Sequence, residues 1–196
     1  LELLKPDVVS VCTPPSDRAE IIAACDGAPN VRGIWCEKPY ALTYLPKLAL
    51  TQVNLIRRFD PRHQEIARRT TVGGLTPNRH LFVICAKDIH TTVHFTDLAR
   101  WWGVPRAQFH YHHFHGPALY VLREEGETPG RYAGWRDEVF VGGGLVTGFM
   151  ERALSNLLDA LDGKKGLVSS AESAIESETW AAEILADHAV GDSPAS

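Results

Sequence analysis

Val31-Arg32-Gly33-Ile34-Trp35-Cys36-Glu37-Lys38-Pro39 is the stretch that decides the fold. Its first six residues are an apolar run broken only by Arg32, the pattern of a strand buried on both faces of a parallel sheet. The run ends on a carboxylate and a cation. Pro39 fixes the turn behind them and removes a backbone donor. Ligands of open α/β sheets collect at this end of the strands. Upstream, Asp7-Val8-Val9-Ser10-Val11-Cys12 is a second such run, ended sharply by Thr13-Pro14-Pro15. Between the two, Asp17 with Glu20 three residues on has the pattern of a capping box, and Arg18 to Cys25 continues as a helix. Gly27, Pro29 and Asn30 break that helix. Strand, helix and strand make a βαβ unit and so a parallel sheet.

Working outward, Ala41 to Thr51 is a connection with room for little more than two helical turns, and Pro46 weakens even those. Gln52 to Arg57 reads as a strand. Asp60-Pro61 starts a helix running to about Arg69, with Pro at the first helical position. Gly73-Gly74 and Pro77 mark a loop, Leu81 to Cys85 a strand, and Thr96 to Trp102 a helix that stops at Gly103. Phe109–Phe114, Ala118–Arg123 and Glu138–Val141 read as strands. Two helices follow: Phe149 to Leu161, with Leu154, Leu157, Leu158 and Leu161, and Ala171 to His188, opened by the capping signature Ser169-Ser170-Ala171-Glu172. The tail from Gly191 is expected to be disordered.

The 196 residues, 44% hydrophobic and 22% charged, have the composition of a soluble globular protein. A net charge of −4 and the absence of a long Lys/Arg run argue against a nucleic-acid surface. Arg57-Arg58 and Arg68-Arg69 are isolated pairs. Cys12, Cys25, Cys36 and Cys85 show no CxxC spacing, and Cys12 and Cys36 read as small hydrophobes in apolar runs. The chain reads as reduced and cytoplasmic, with neither a signal peptide nor an apolar stretch of membrane length. Gly142, Gly144 and Gly148 imitate a dinucleotide loop but lack the following strand and acidic residue. His110, His112, His113 and His115 lack carboxylate or Cys partners at ligand spacing, so no metal is expected. Trp101, Trp102 and Trp180 read as core.

Four motifs in order carry a resemblance: Asp7 through Thr13-Pro14; Glu37-Lys38-Pro39-Tyr40-Ala41-Leu42-Thr43; Arg57-Arg58-Phe59-Asp60-Pro61; and His94-Phe95-Thr96-Asp97. Together they are similar to the Gfo/Idh/MocA oxidoreductases, and Asn156 to Leu161 with Ser169 to Glu172 is similar to that family's final helices. The resemblance covers almost the whole chain. It implies a partial Rossmann parallel sheet followed by an α+β domain with a large open, mainly antiparallel sheet. It also implies hydride transfer between NAD or NADP and a sugar, cyclitol or related hydroxyl or ketone. Lys38 would hydrogen-bond the reacting oxygen and His94 would act as general base, a task suited to an imidazole of ordinary pKa. Thr13, Pro14, Pro15, Glu37 and Lys38 would line the nicotinamide-ribose side. Arg58, His90 and Asp97 are candidate substrate contacts. The Lys-Pro bond is often cis in relatives, which makes cis an option for Lys38-Pro39.

Departures from the family pattern shape the remaining expectations. No strand with a Gly-x-Gly-x-x-Gly loop precedes the first βαβ unit, and the chain begins with Leu1. These features imply an incomplete chain lacking the N-terminal Rossmann half, roughly 60 residues or more, with impaired cofactor binding. The connection before the Arg57-Arg58-Phe59 motif is short. Many members carry Asp four residues before the catalytic His, where this chain has His90. The expected division is a Rossmann remnant over 1–51, a substrate-binding and oligomerisation domain over 52–190, and a disordered tail over 191–196. A homo-dimer or homo-tetramer would form through the open sheet face. The rival expectation is a non-catalytic remnant or paralogue serving as a sugar-binding or oligomerisation module.

Overall fold

A computed structural model describes residues 3–71, 80–86, 89–104, 109–113, 119–124, 140–141 and 148–191. The loop expected around Gly73, Gly74 and Pro77, glycines 142 and 144, His115 and the tail 192–196 lie outside these residues. The protein is α/β. Among the described residues it has a small parallel three-stranded sheet and five α-helices, consistent with a partial Rossmann-like arrangement. Contacts divide it into two compact units, each discontinuous in sequence: Leu1–Phe59 with Thr147–Glu178, and Asp60–Val146 with Thr179–Ser196.

The first unit begins as the sequence pattern requires. Strand β1 (Val8–Val11), helix α1 (Arg18–Asp26) and strand β2 (Gly33–Cys36) form the βαβ unit, and β3 (Leu50–Val53) joins it in the order β1-β2-β3, all parallel. Val11 pairs with Cys36 and Cys36 with Val53, so the three strands end in line. Strand β3 is earlier and shorter than the Gln52–Arg57 expectation. The Leu55 amide bonds the Val53 carbonyl and the Arg58 amide bonds the Leu55 carbonyl, which turns the chain into a 3-10 segment over Ile56–Phe59.

The capping box at Asp17 does not form. Pro14 and Pro15 set a 3-10 turn that runs directly into α1, so Asp17 is already helical and its side chain caps nothing. Asp17 Oδ1 accepts from Ser16 Oγ instead, at 2.8 Å. Cys12, expected inside, is exposed because β1 has ended before it. The connection 41–49 contains no helix. It is held by Asp26, whose carboxylate accepts the amides of Lys47, Leu48 and Ala49 at 2.8–2.9 Å.

The helix α4 (Phe149–Leu161) keeps the boundaries read from the sequence. Its buried Ala153 and Leu157 belong to the core of this unit with Ile22, Ile34, Val53 and Leu55. Each fully buried Leu or Ile is worth about 1.5–3 kcal/mol relative to exposure. Gly33 permits the close approach of α4 to the sheet, since a Cβ there would meet Leu161 Cδ1 at 3.0 Å. The Gln52 amide donates to the Ala153 carbonyl at 2.7 Å. The outer edge of β3 is covered by the segment before α5 (Ala171–Gly191): Val53 N donates to Ser169 O, and Ser169 Oγ to Val53 O. Ser170 caps α5, accepting from Ser173 N at 3.3 Å, one residue later than the Ser169–Glu172 box expected from the sequence, because the Ser169 hydroxyl is taken by Val53 O.

In the second unit, α2 (Pro61–Thr71) starts where Asp60-Pro61 directs it. Asp60 Oδ1 accepts the Arg62 amide at 2.9 Å, and the Arg62 guanidinium pairs with the same carboxylate. Burial opposes ionisation of Asp60, but the Arg62 hydrogen bonds outweigh it and hold the carboxyl below its ordinary value. Strands β4 (His80–Ala86), β5 (Phe109–His113), β6 (Leu119–Glu124) and β7 (Phe140–Val141) form a sheet in the order β5-β4-β6-β7. The β4–β5 pair is parallel and the other two are antiparallel. Helix α3 spans Ile89–Trp101, starting earlier than the Thr96 expectation and so taking in His90 and His94. Ile66, Phe95, Leu98, Ala99, Trp102, Val104 and Ile184 make the core. Trp102 is inside as expected, its indole donating to the His63 carbonyl at 3.1 Å. Trp180 is half-buried, with the Arg100 guanidinium 5.6 Å over its ring.

Asp26 provides a test of the first unit. Partial burial works against its charge, but the three amides and Lys47 prevail and lower its pKa. A lowered folded-state value means that its contribution is complete above the unfolded pKa of about 3.9 and is lost as pH falls through the folded value. Asp26→Ala is expected to cost about 1–2 kcal/mol at pH 7. Urea titrations of both proteins should show that gap narrowing toward pH 3.

Candidate functional site

Three strand ends lie side by side, and each is followed by a polar residue: Thr13 beyond β1, Glu37 beyond β2 and Asn54 beyond β3. The ladder extends into them, since Glu37 N donates to Val11 O at 2.9 Å and Asn54 N to Cys36 O at 2.8 Å. Arg18, at the start of α1 and only 3% exposed, ties the first two ends together. Its Nε and Nη2 donate to the Thr13 carbonyl at 3.0 and 2.8 Å, and its Nη1 to the Glu37 carbonyl at 2.7 Å. A rigid guanidinium fork can bridge two carbonyls in this way, which the single point charge of a lysine does not reproduce.

Asn54 ties the third end to the second. It is 4% exposed, and its Nδ2 donates to Glu37 Oε1 at 2.5 Å. Thr13 Oγ1 and Asn54 Oδ1 are buried with no hydrogen-bond partner. Buried polar atoms are seldom left this way. Glu37 and Lys38 are half-buried, and the Lys38-Pro39 peptide is cis. The next two amides, of Tyr40 and Ala41, both donate to Glu178 in α5, the second at 2.8 Å. Ala41 sits at φ 59°, in the left-handed region. One distant carboxylate thus holds the turn that carries Lys38. Cys36 is no nucleophile here, because burial pushes its thiol up to about 12.

The structure brings Thr13, Glu37 and the Lys38 turn together at one sheet edge of the first unit, with Pro14 and Pro15 leading from Thr13 into α1. Arg58 is buried in the same unit and donates to the Val168 carbonyl at 2.6 Å. The other candidates belong to the second unit. His94 and Asp97 lie three residues apart on α3, hence on one face of it, with His94 half-buried and Asp97 buried. His90 is in the first turn of α3, and its side chain lies outside those described, as do those of His110, His112 and His113 in β5. A cavity of about 600 Å³ in the first unit is lined by Lys5, Pro6, Gly27, Pro29 and Asn30, which precede β1 and β2 and stand apart from the strand-end cluster. No helix among the described residues is long and apolar enough to cross a membrane.

Arg18, Asn54 and Glu178 are the site residues the sequence reading missed. Asn54 directly follows the third strand as Glu37 follows the second, but that strand, Leu50-Thr51-Gln52-Val53, is half polar, so no apolar run marks where it ends. Nothing near Arg18 or Glu178 marks the carbonyls and amides that they bind.

No family model matches the sequence, and no curated protein matches it. Solved structures do resemble the fold. UDP-N-acetylglucosamine 3-dehydrogenase GnnA from Acidithiobacillus ferrooxidans superposes with a TM-score of 0.68 at 15% identity, covering 95% of this chain and 80% of that one. A putative myo-inositol dehydrogenase from Sinorhizobium meliloti 1021 gives 0.58 at 15%, covering 93% and 79%. A super-repressor mutant of Gal80p from Saccharomyces cerevisiae gives 0.61 at 10%, covering 94% and 78%. These neighbours are of the Gfo/Idh/MocA type, the type whose motifs the sequence resembles. At such identities the likeness is one of fold.

The clasp by Glu178 has a direct consequence. Glu178→Ala should leave two backbone donors without their carboxylate, and amide exchange at Tyr40 and Ala41 should accelerate by about tenfold or more, as expected for losing charge-assisted bonds. Exchange mapped by NMR or mass spectrometry checks this. Separately, alkylation by iodoacetamide at pH 8 should modify Cys12 and spare Cys25 and Cys36, as read by peptide mass.

Proposed function

We propose that the chain is a Gfo/Idh/MocA-type oxidoreductase that uses NAD or NADP to oxidise a sugar, cyclitol or related hydroxyl, or to reduce the corresponding ketone. The observation that carries this reading is the alignment of Thr13, Glu37 and Lys38 at the carboxyl edge of the parallel sheet, in a fold shared with sugar and cyclitol dehydrogenases. The buried, unpartnered Thr13 hydroxyl fits a hydroxyl-bearing ligand such as the nicotinamide ribose. Thr13, Pro14, Pro15, Glu37 and Lys38 would hold that end of the dinucleotide. When bound, the nicotinamide supplies the hydride acceptor.

In this reading Lys38 donates a hydrogen bond to the reacting oxygen and steadies the charge that builds there. His94 takes the hydroxyl proton as the carbon loses its hydride, and returns it in the reverse direction. Asp97, three residues along the same helix, orients His94 or meets the substrate, and His90 and Arg58 are further substrate contacts. The free thiols Cys12, Cys25 and Cys36 support a reducing compartment such as the cytoplasm. A homo-dimer or homo-tetramer through an open, mainly antiparallel sheet belongs to the same proposal. The likeness to Gal80p favours a second reading, a non-catalytic sugar-binding or oligomerisation module.

Nicotinamide absorbance separates the two. With NAD+ or NADP+ and a panel of polyols that includes myo-inositol, the protein should reduce the dinucleotide. Lys38→Ala and His94→Gln should each lower turnover by about 10²–10⁴-fold. No reduction with any polyol and either dinucleotide would overturn the catalytic reading.

A further inference from the structure

Asn54 is the residue of the strand-end cluster that no sequence motif assigns. Its amide orientation follows from its partner: a carboxylate oxygen accepts hydrogen bonds, so the Asn54 NH2 faces Glu37. The opposite end, Oδ1, is thereby committed as an acceptor, and it is buried with no partner. The weak contact of Nδ2 with Met150 Sδ at 3.6 Å leaves that oxygen unaffected. Beside it stand Glu37, whose Oε1 is held by Asn54, and Thr13, whose Oγ1 is likewise buried and unpartnered and whose carbonyl shares the Arg18 fork with Glu37. Asn54 Oδ1, which can only accept, therefore lacks a donor, and the Thr13 hydroxyl, which can donate or accept, lacks any partner.

Electrostatics narrows which donors suit it. The buried Arg18 guanidinium, bonded to the carbonyls of Thr13 and Glu37, sets a fixed positive charge beside the cluster. An ammonium would meet that cation. A phosphate would bring more acceptors to a place that already has too many, next to a carboxylate. Neutral hydroxyls supply donors without charge.

We propose that Asn54 Oδ1 and the Glu37 carboxylate form a subsite for a pair of neutral ligand hydroxyls, with Asn54 also positioning Glu37 through its amide. The ligand class rests on the dinucleotide-oxidoreductase reading above, which offers two sources of such a pair: the nicotinamide ribose and the polyol substrate.

Calorimetric titration of the protein with nicotinamide mononucleotide, myo-inositol and nicotinamide alone distinguishes them. The expected result is binding of at least one hydroxyl-bearing probe, weakened about tenfold by Asn54→Ala, with nicotinamide binding unchanged. If only the mononucleotide responds, the ribose is the source; if only myo-inositol responds, the substrate is. Should Asn54→Ala fail to fold by circular dichroism, Asn54→Asp replaces it: it keeps the shape, removes the donor to Glu37 and sets two carboxylates together, and must weaken the same probe. Undiminished binding in the folded variant overturns the inference and leaves the oxidoreductase reading standing. Myo-inositol binding that depends on Asn54, with no mononucleotide binding, upholds the inference and overturns the dinucleotide reading. Failure of the unmodified protein to bind either hydroxyl probe overturns the inference.

Discussion

The guanidinium of Arg18 is the interaction on which the site in the first unit depends. Parallel strands deliver their ends to one edge, but they do not control how the chain leaves that edge. Arg18 does so by taking the carbonyls of Thr13 and Glu37 into one planar fork. A buried cation with only neutral partners is costly unless its hydrogen bonds are well made. Here they hold two turns that are 24 residues apart in the chain, counting from Thr13 to Glu37.

A second layer of long-range contacts works in the same way. Glu178 receives the two amides after Pro39, Asp26 receives three amides of the connection before β3, and Ser169 closes the outer edge of that strand. In the first two cases a side chain from a helix satisfies backbone donors of an irregular segment. Buried backbone groups must be paired somewhere. A connection without its own helix can meet that need only by borrowing partners. The absence of a helix between β2 and β3 and the clasp by Asp26 are therefore one feature.

Much of this was legible in the sequence. The two apolar runs ending at Cys12 and Cys36 with a helical stretch between them specify a βαβ unit, and the structure has it. The leucines of Phe149–Leu161 located α4, and Asp60-Pro61 located the start of α2. The differences have local physical causes. Asp17 has the right spacing to Glu20 for a side-chain cap, but the two prolines ahead of it already begin helical geometry. Leu55 and Ile56 prolong the apolar pattern of the third strand, although backbone bonds turn the chain there. The apolar run that holds Cys12 outlasts its strand.

By itself, the sequence determined the parallel βαβ unit, the helix α4, and the placement of Thr13 and of Glu37 with Lys38 at strand ends. These follow from local periodicity and from where proline stops an element. It also suggested the type of fold, since four short motifs kept their order. Only the tertiary structure decided that α4 returns to the first sheet, that Glu178 holds the Lys38 turn, and that Arg18 and Asn54 complete the cluster around Glu37. Those choices are made by single polar side chains meeting backbone groups or carboxylates far away in the chain. Such a meeting leaves no period or spacing in a sequence, because its geometry exists only once the sheet has aligned the strand ends.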